Sequence, residues 1–105
     1  MRQPTFAPAF VAMYPALCEL ARDRGYALMV HGTASLDFDL LAVPWTNEAC
    51  EPLELVTAVA QRMHLLHGDF GTGMSEPELK PHGRISWLLE IGCGACLDFG
   101  VMPRR

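Results

Sequence analysis

The chain has 105 residues, half of them apolar, and carries 8 lysines and arginines against 12 aspartates and glutamates, a net charge of −4. This length supports one domain with a substantial core and is too short for two, so we expect a single domain over residues 1–105. The acidic balance shows no strong sign of nucleic-acid binding, and no apolar run reaches membrane-spanning length.

The amino terminus and the cysteines both indicate a protein that is not secreted. Pro4 and Pro8 interrupt residues 1–9, which contain no continuous apolar segment and therefore do not resemble a signal peptide. The four cysteines are too few and too unevenly spaced for a disulfide framework. We expect a soluble, cytoplasmic protein without a membrane partner.

The first half of the chain predicts a helix followed by two strands. Apolar residues recur at helical spacing over residues 9–24, and Gly25 follows as a stop signal. Pro15 would either kink this helix or begin its regular part. The apolar run over residues 26–31 predicts a strand, and the run over residues 38–43 predicts a second strand that pairs with it as a hairpin.

The second half predicts another helix and another hairpin. Residues 52–67 have a helical apolar face, and residues 68–84 contain four glycines and two prolines, which predicts a long irregular loop. Strands over residues 84–91 and 95–102 then form a hairpin. The predicted fold is α+β, with two main helices and a mixed or antiparallel sheet of about four strands, in the order α-β-β-α-β-β.

Asp37 and Asp39 are the first candidate site residues. Because side chains alternate along a strand, both point to the same face, where they repel one another and are costly to desolvate. A divalent cation such as Mg²⁺ would stabilise the pair, although a solvated strand end also explains it. Asp98 lies between apolar residues of the last strand and would complete a three-carboxylate cluster if that strand lies beside the second one. Glu90 is the alternative third acid.

Four further groups each have two interpretations. Lys80, His82 and Arg84 gather potentially cationic side chains that suit either phosphate binding or a solvated turn. The Cys93/Cys96 pair has CxxC spacing but no second ligand pair, so a turn is preferred to a zinc site. His64 and His67 could be metal ligands or exposed helix positions. Trp45 and Phe70 could form a substrate wall or a dimer contact.

These motifs resemble the nucleotidyltransferase superfamily that includes DNA polymerase β. The resemblance comprises the Gly-Ser-type turn Gly32-Thr33, the strand with Asp37 and Asp39, and the third acid Asp98 within Leu-Asp-Phe. The chain from about residue 10 to 103 is also similar to short bacterial and phage proteins described as nucleotidyltransferase-like. The segments that carry this similarity are residues 30–33, 37–45, 80–84 and 97–103.

The resemblance implies a minimal nucleotidyltransferase-like domain that transfers a nucleotidyl group from a nucleoside triphosphate to an acceptor hydroxyl, with two Mg²⁺ or Mn²⁺ ions as cofactors. The catalytic and metal-binding residues would be Asp37, Asp39 and Asp98. The residues that contact the substrate would be Gly32, Thr33, Lys80, His82 and Arg84.

Two departures from the superfamily pattern support an alternative. Only residues 34–36 separate the Gly-Thr turn from the aspartates, a shorter segment than is usual, and the chain has no additional domain for an acceptor. A homodimer or a partner protein would then have to complete the site. The alternative is a catalytically inactive binding or regulatory module with the same fold, either antitoxin-like or a phage accessory protein.

Overall fold

Two helices and six strands form the part of the chain that the computed structural model describes, residues 7–31, 37–67, 73–90 and 96–104. A short 3₁₀ turn, Pro81–Gly83, joins the fourth strand to the fifth. The elements in chain order are α1 (Ala7–Asp23), β1 (Tyr26–His31), β2 (Asp37–Pro44), α2 (Pro52–His67), β3 (Gly73–Met74), β4 (Glu78–Leu79), β5 (Ile85–Glu90) and β6 (Cys96–Val101).

All six strands belong to one mixed sheet. Its order is β1-β2-β6-β5, and both β3 and β4 pair with the far edge of β5. The β2–β6 pair is parallel and the other pairs are antiparallel. The predicted α+β class is therefore confirmed, as are the two hairpins β1–β2 and β5–β6.

The predicted strand count was too low because the segment expected to be an irregular loop contains β3, β4 and the 3₁₀ turn. Between the two short strands, the Ser75 N–H donates to the Leu88 carbonyl at 2.9 Å, which continues the pairing with β5. Pro77 is compatible with this arrangement because the segment lies at a sheet edge. Such strands are held mainly by backbone hydrogen bonds, so apolar alternation does not reveal them.

The predicted helices are confirmed with small changes at the first one. The second helix has the predicted bounds, whereas α1 begins at Ala7 and ends at Asp23. Pro15 lies inside α1 and therefore does not begin it. Within the described ranges, neither helix has the combination of length and apolar composition that crossing a membrane requires.

The core lies between the two helices and one face of the sheet. Strand alternation directs every second residue of β1, β2, β5 and β6 toward the helices. The fully buried side chains include Leu17 of α1, Leu55, Val56, Val59 and Met63 of α2, and Phe38, Leu40, Leu89, Leu97 and Phe99 of the sheet. Neither helix packs on the opposite face, where Met29 and Leu88 are exposed. This opposite face is called the open face below.

Candidate functional site

The open face carries an aspartate on each of its two central strands. In the parallel pairing of β2 with β6, Asp39 is the direct Cα partner of Asp98. The residues on either side of each aspartate are buried in the core, so both carboxylates lie on the open face, and both residues are half-buried. Neighbouring strands are about 4.8 Å apart. The predicted adjacency of the last strand and the second strand is thus confirmed.

The other expected members of the acidic cluster occupy different positions. The backbone of Asp37 pairs with Cys96 at the start of β6, but its side chain lies outside the described residues, as do Gly32 and Thr33. Glu90 is exposed and also pairs with Cys96, which lies two residues before Asp98 on β6. Asp98, and not the alternative Glu90, is therefore the acid that lies beside Asp39.

The two carboxylates provide suitable donors for a hard divalent cation. No hydrogen bond or ion pair reaches the Asp98 carboxylate from the residues that the structure describes. Carboxylates at directly opposed positions repel one another unless a cation lies between them. Mg²⁺ and Mn²⁺ accept such oxygen ligands. Among the described side chains, no group of three or more His, Cys, Asp or Glu surrounds a common position.

Arg84 brings a positive charge to the open face close to this pair. Its side chain lies across Gly100, where a Cβ atom would be 3.1 Å from Arg84 Nη1. Gly100 is two residues beyond Asp98 on the same face of β6. No ion pair to Arg84 is found within the described ranges. Sequence reasoning missed Gly100, although a glycine inside a strand often marks a close approach.

The three predicted cationic residues have three different surroundings. Lys80 Nζ is 3.1 Å from Glu78 Oε1, so its charge is already paired. The Lys80 N–H also donates to the Arg84 carbonyl at 2.7 Å, which closes the turn before β5. His82 is exposed in this turn and has a positive φ of 66°. Arg84 is therefore the cation of this group whose side chain extends over the centre of the sheet.

A cavity of about 520 Å³ borders Asp98 on the side away from Asp39. It lies between β5 and the segment of residues 75–80, and we call it the β5 cavity. Its polar lining residues are Ser75, Glu76, Glu78, Lys80, Ser86 and Asp98. Sequence reasoning missed Ser86, although its position beside the core residue Trp87 indicates that it faces the opposite side of the sheet.

The remaining candidates are the aromatic residues, the two cysteines and the two histidines. Trp45 is 80 % exposed and follows the far end of β2, about 20 Å along the strand from Asp39, so it is not a wall of this site. Cys96 begins β6 and is not a turn residue, whereas Cys93 lies outside the described residues. Phe70 and the side chains of His64 and His67 also lie outside them.

Comparison of the chain with protein-family models, with curated proteins and with solved structures gives no match. The nucleotidyltransferase resemblance therefore stays a prediction.

Proposed function

We propose that the protein is a minimal metal-dependent nucleotidyltransferase, which transfers a nucleotidyl group from a nucleoside triphosphate to an acceptor hydroxyl. The observation that carries this proposal is the direct pairing of Asp39 with Asp98 on the open face. Their strands are central in the sheet and packed on the core, so the two carboxylates have a rigid support. An accessible pair of this kind suits a metal ion that must also bind a substrate phosphate.

Each candidate residue has its own proposed role. Asp39 and Asp98, with Asp37 as the proposed third ligand, would hold Mg²⁺ or Mn²⁺, which would supply Lewis-acid stabilisation of the phosphates. Arg84 is the proposed partner for phosphate charge, because Lys80 is already paired with Glu78. Gly32 and Thr33 remain the proposed backbone and hydroxyl contacts to the phosphates.

The proposed reaction is an in-line displacement at phosphorus. The acceptor hydroxyl oxygen forms a bond to the α-phosphorus, and the bond from that phosphorus to the bridging oxygen of pyrophosphate breaks. Pyrophosphate leaves with the electron pair, and the hydroxyl proton passes to water. The proposal places the protein in the cytoplasm, where nucleoside triphosphates are available, and leaves a homodimer or a partner protein as the source of further substrate contacts.

Mn²⁺ binding tests the metal site directly. Electron paramagnetic resonance would follow Mn²⁺ with and without a non-hydrolysable nucleotide in the wild type, in Asp98→Asn and in Asp23→Asn. The last variant is a matched control, because Asp23 is exposed at the end of α1, beyond the opposite end of the strands. We expect Asp98→Asn to weaken Mn²⁺ binding by about tenfold or more, since a charged ligand is lost. Equal binding by all three proteins, or none, would contradict the proposal.

A nucleotidyl-transfer assay distinguishes the proposed enzyme from the alternative, an inactive binding or regulatory module. The short segment of residues 34–36 favours the module, since it leaves little chain for a triphosphate pocket. The assay follows radiolabel from the α-phosphate of each nucleoside triphosphate into candidate acceptors. Label transfer that Asp39→Asn abolishes supports the enzyme. Metal and nucleotide binding without transfer to any acceptor supports a binding or regulatory module.

A further inference from the structure

We infer that the protein associates as a symmetric dimer through a groove between α1 and β1, in which Trp45 of each copy packs against Pro15 of the other. This groove is called the α1–β1 groove below. It has a volume of about 520 Å³, and both Trp45 and Pro15 line it. The inference does not depend on the proposed function, because neither Asp39 nor Asp98 lines this groove.

Trp45 is the side chain that indicates a partner. It is 80 % exposed, which makes it the most exposed of the large apolar side chains that the structure describes. It follows the end of β2 and has no role in the proposed chemistry. Its N–H donates to the Gly25 carbonyl at 2.7 Å, so its backbone is fixed beside the start of β1. An anchored, exposed indole ring is typical of the residues that contribute most to protein–protein binding.

The two ends of the groove differ. At one end, Trp45 and Arg22 lie beside the turn that joins α1 to β1. At the other end, Pro15 follows Tyr14, whose hydroxyl donates to the Leu28 carbonyl at 2.7 Å. A two-fold axis across the groove reverses its direction in the second copy. Trp45 of each copy therefore lies at the Pro15 end of the other, where its indole ring can pack on an exposed proline ring.

The charges of the groove are complementary to those of a second copy. Among the described residues, Glu19 and Arg22 are the charged ones that line it, and both are exposed. Neither has an ion pair within the described ranges. In the reversed second copy, Arg22 approaches Glu19 of the first, and the same contact forms twice. A wholly acidic or wholly basic partner would instead place like charges together.

The strand that borders the groove lies at an unprotected sheet edge. Among the described strands, only β2 pairs with β1, and the sequence of β1, Tyr26–His31, contains no proline and no acidic, lysine or arginine residue. The opposite edge has short strands, Pro77 and Glu78, all of which discourage association. An apolar strand beside two rim charges has the composition of a protein–protein interface.

Sedimentation equilibrium of the full chain, in EDTA without nucleotide, tests the dimer. We expect the wild type to be dimeric at about 100 μM, and Trp45→Ala to weaken association by about thirtyfold, since an aromatic contact is lost twice. Leu79→Ala is the matched control, because Leu79 is 76 % exposed but lies on β4 at the opposite edge. A monomeric wild type, or equal association of Trp45→Ala, would overturn the inference.

Charge reversal tests the pairing of Glu19 with Arg22. Glu19→Arg or Arg22→Glu alone should weaken association by about tenfold, because like charges then meet at both symmetric contacts. A mixture of the two variants should form a heterodimer, because each charge then meets its opposite. Changes within one helix cannot cause this recovery, since mixing alters neither chain.

Native mass spectrometry of the mixture distinguishes the heterodimer from the two homodimers. Glu76→Arg is the control for charge reversal, because Glu76 is exposed at the opposite edge of the sheet and its substitution should leave association unchanged. A mixture with no more dimer than either variant alone would overturn the inference.

The dimer and the proposed function can fail separately. Trp45→Ala and Glu19→Arg should leave Mn²⁺ binding unchanged, since neither residue belongs to the proposed metal site. Mn²⁺ binding by a monomeric wild type would overturn the dimer and keep the proposed function. A dimer with the expected variant effects but no Mn²⁺ binding would keep the dimer and overturn the proposed function.

Discussion

The side chain of Arg84 occupies the space that a side chain at residue 100 would need. A Cβ atom at Gly100 would lie 3.1 Å from both Cδ and Nη1 of Arg84. Gly100 therefore allows a half-buried arginine to lie flat on β6, two residues from Asp98. This contact places a cation on β6 two residues from Asp98, where the proposed function assigns it to the substrate phosphates.

The first prediction concerns this contact. Gly100→Ala should displace the Arg84 guanidinium and weaken nucleotide binding in the presence of Mn²⁺ by about tenfold, since a charge-assisted contact is lost. Calorimetry with a non-hydrolysable nucleotide measures this change, and Mn²⁺ binding in the absence of nucleotide should be unaffected. Gly73→Ala is the matched control, because no atom lies within 4 Å of the added Cβ there. Unchanged nucleotide affinity in Gly100→Ala would contradict the role given to Arg84.

A second prediction follows from the repulsion between Asp39 and Asp98. In EDTA, Asp98→Asn should raise the free energy of unfolding by about 0.5 kcal/mol, because like charges at opposed strand positions are destabilising. Mg²⁺ should raise the thermal midpoint of the wild type and leave that of the variant unchanged. Chemical and thermal denaturation measure these effects, with Asp23→Asn as control. A variant that is less stable than the wild type in EDTA would show that the Asp98 carboxylate stabilises the metal-free fold.

The third prediction concerns the turn that joins α1 to β1. Gly25 has a φ of 88°, and a Cβ atom there would lie 2.7 Å from Ala49 Cα. Its carbonyl accepts a hydrogen bond from the Trp45 N–H at 2.7 Å. Gly25→Ala should therefore destabilise the protein by about 3 kcal/mol, from backbone strain and steric overlap together. Denaturant unfolding measures the decrease in the free energy of unfolding. A decrease no larger than that of an ordinary surface substitution would contradict this prediction.

The fourth prediction concerns pH. The chain has two tyrosines, and burial raises the pKa of both Tyr14 and Tyr26 from 10.0 to about 12. Their hydroxyls donate to the carbonyls of Leu28 at 2.7 Å and Cys50 at 2.6 Å. Because the folded state favours the neutral phenols, their contribution to stability is complete below pH 10 and is lost as the pH rises toward about 12.

Ultraviolet absorbance of the phenolate form measures this titration. The folded protein should show little phenolate at pH 10, whereas the urea-unfolded chain should be half ionised there. Tyr14→Phe and Tyr26→Phe assign the two groups. A tyrosine that titrates near pH 10 in the folded protein would contradict the predicted burial of its hydroxyl.

Local patterns were sufficient to predict most of the elements. Helical spacing of apolar residues predicted both helices, and apolar runs predicted β1, β2, β5 and β6 to within about two residues. The candidate site was predicted less completely. Asp39 and Asp98 emerged because acids inside apolar strands are conspicuous, whereas Ser86 and Gly100 are unremarkable residues whose importance depends on their neighbours.

The sequence by itself determined the two helices and the four longer strands, β1, β2, β5 and β6, and which side of each of these strands faces the core, because alternation and helical periodicity are properties of neighbouring residues. Only the tertiary structure decided that β2 and β6 run parallel with Asp39 opposite Asp98, that Arg84 lies over Gly100, and that residues 75–80 border an open cavity beside β5. These relationships join residues far apart in the chain through backbone hydrogen bonds, which any residue except proline can donate, so the amino-acid pattern carries little information about them.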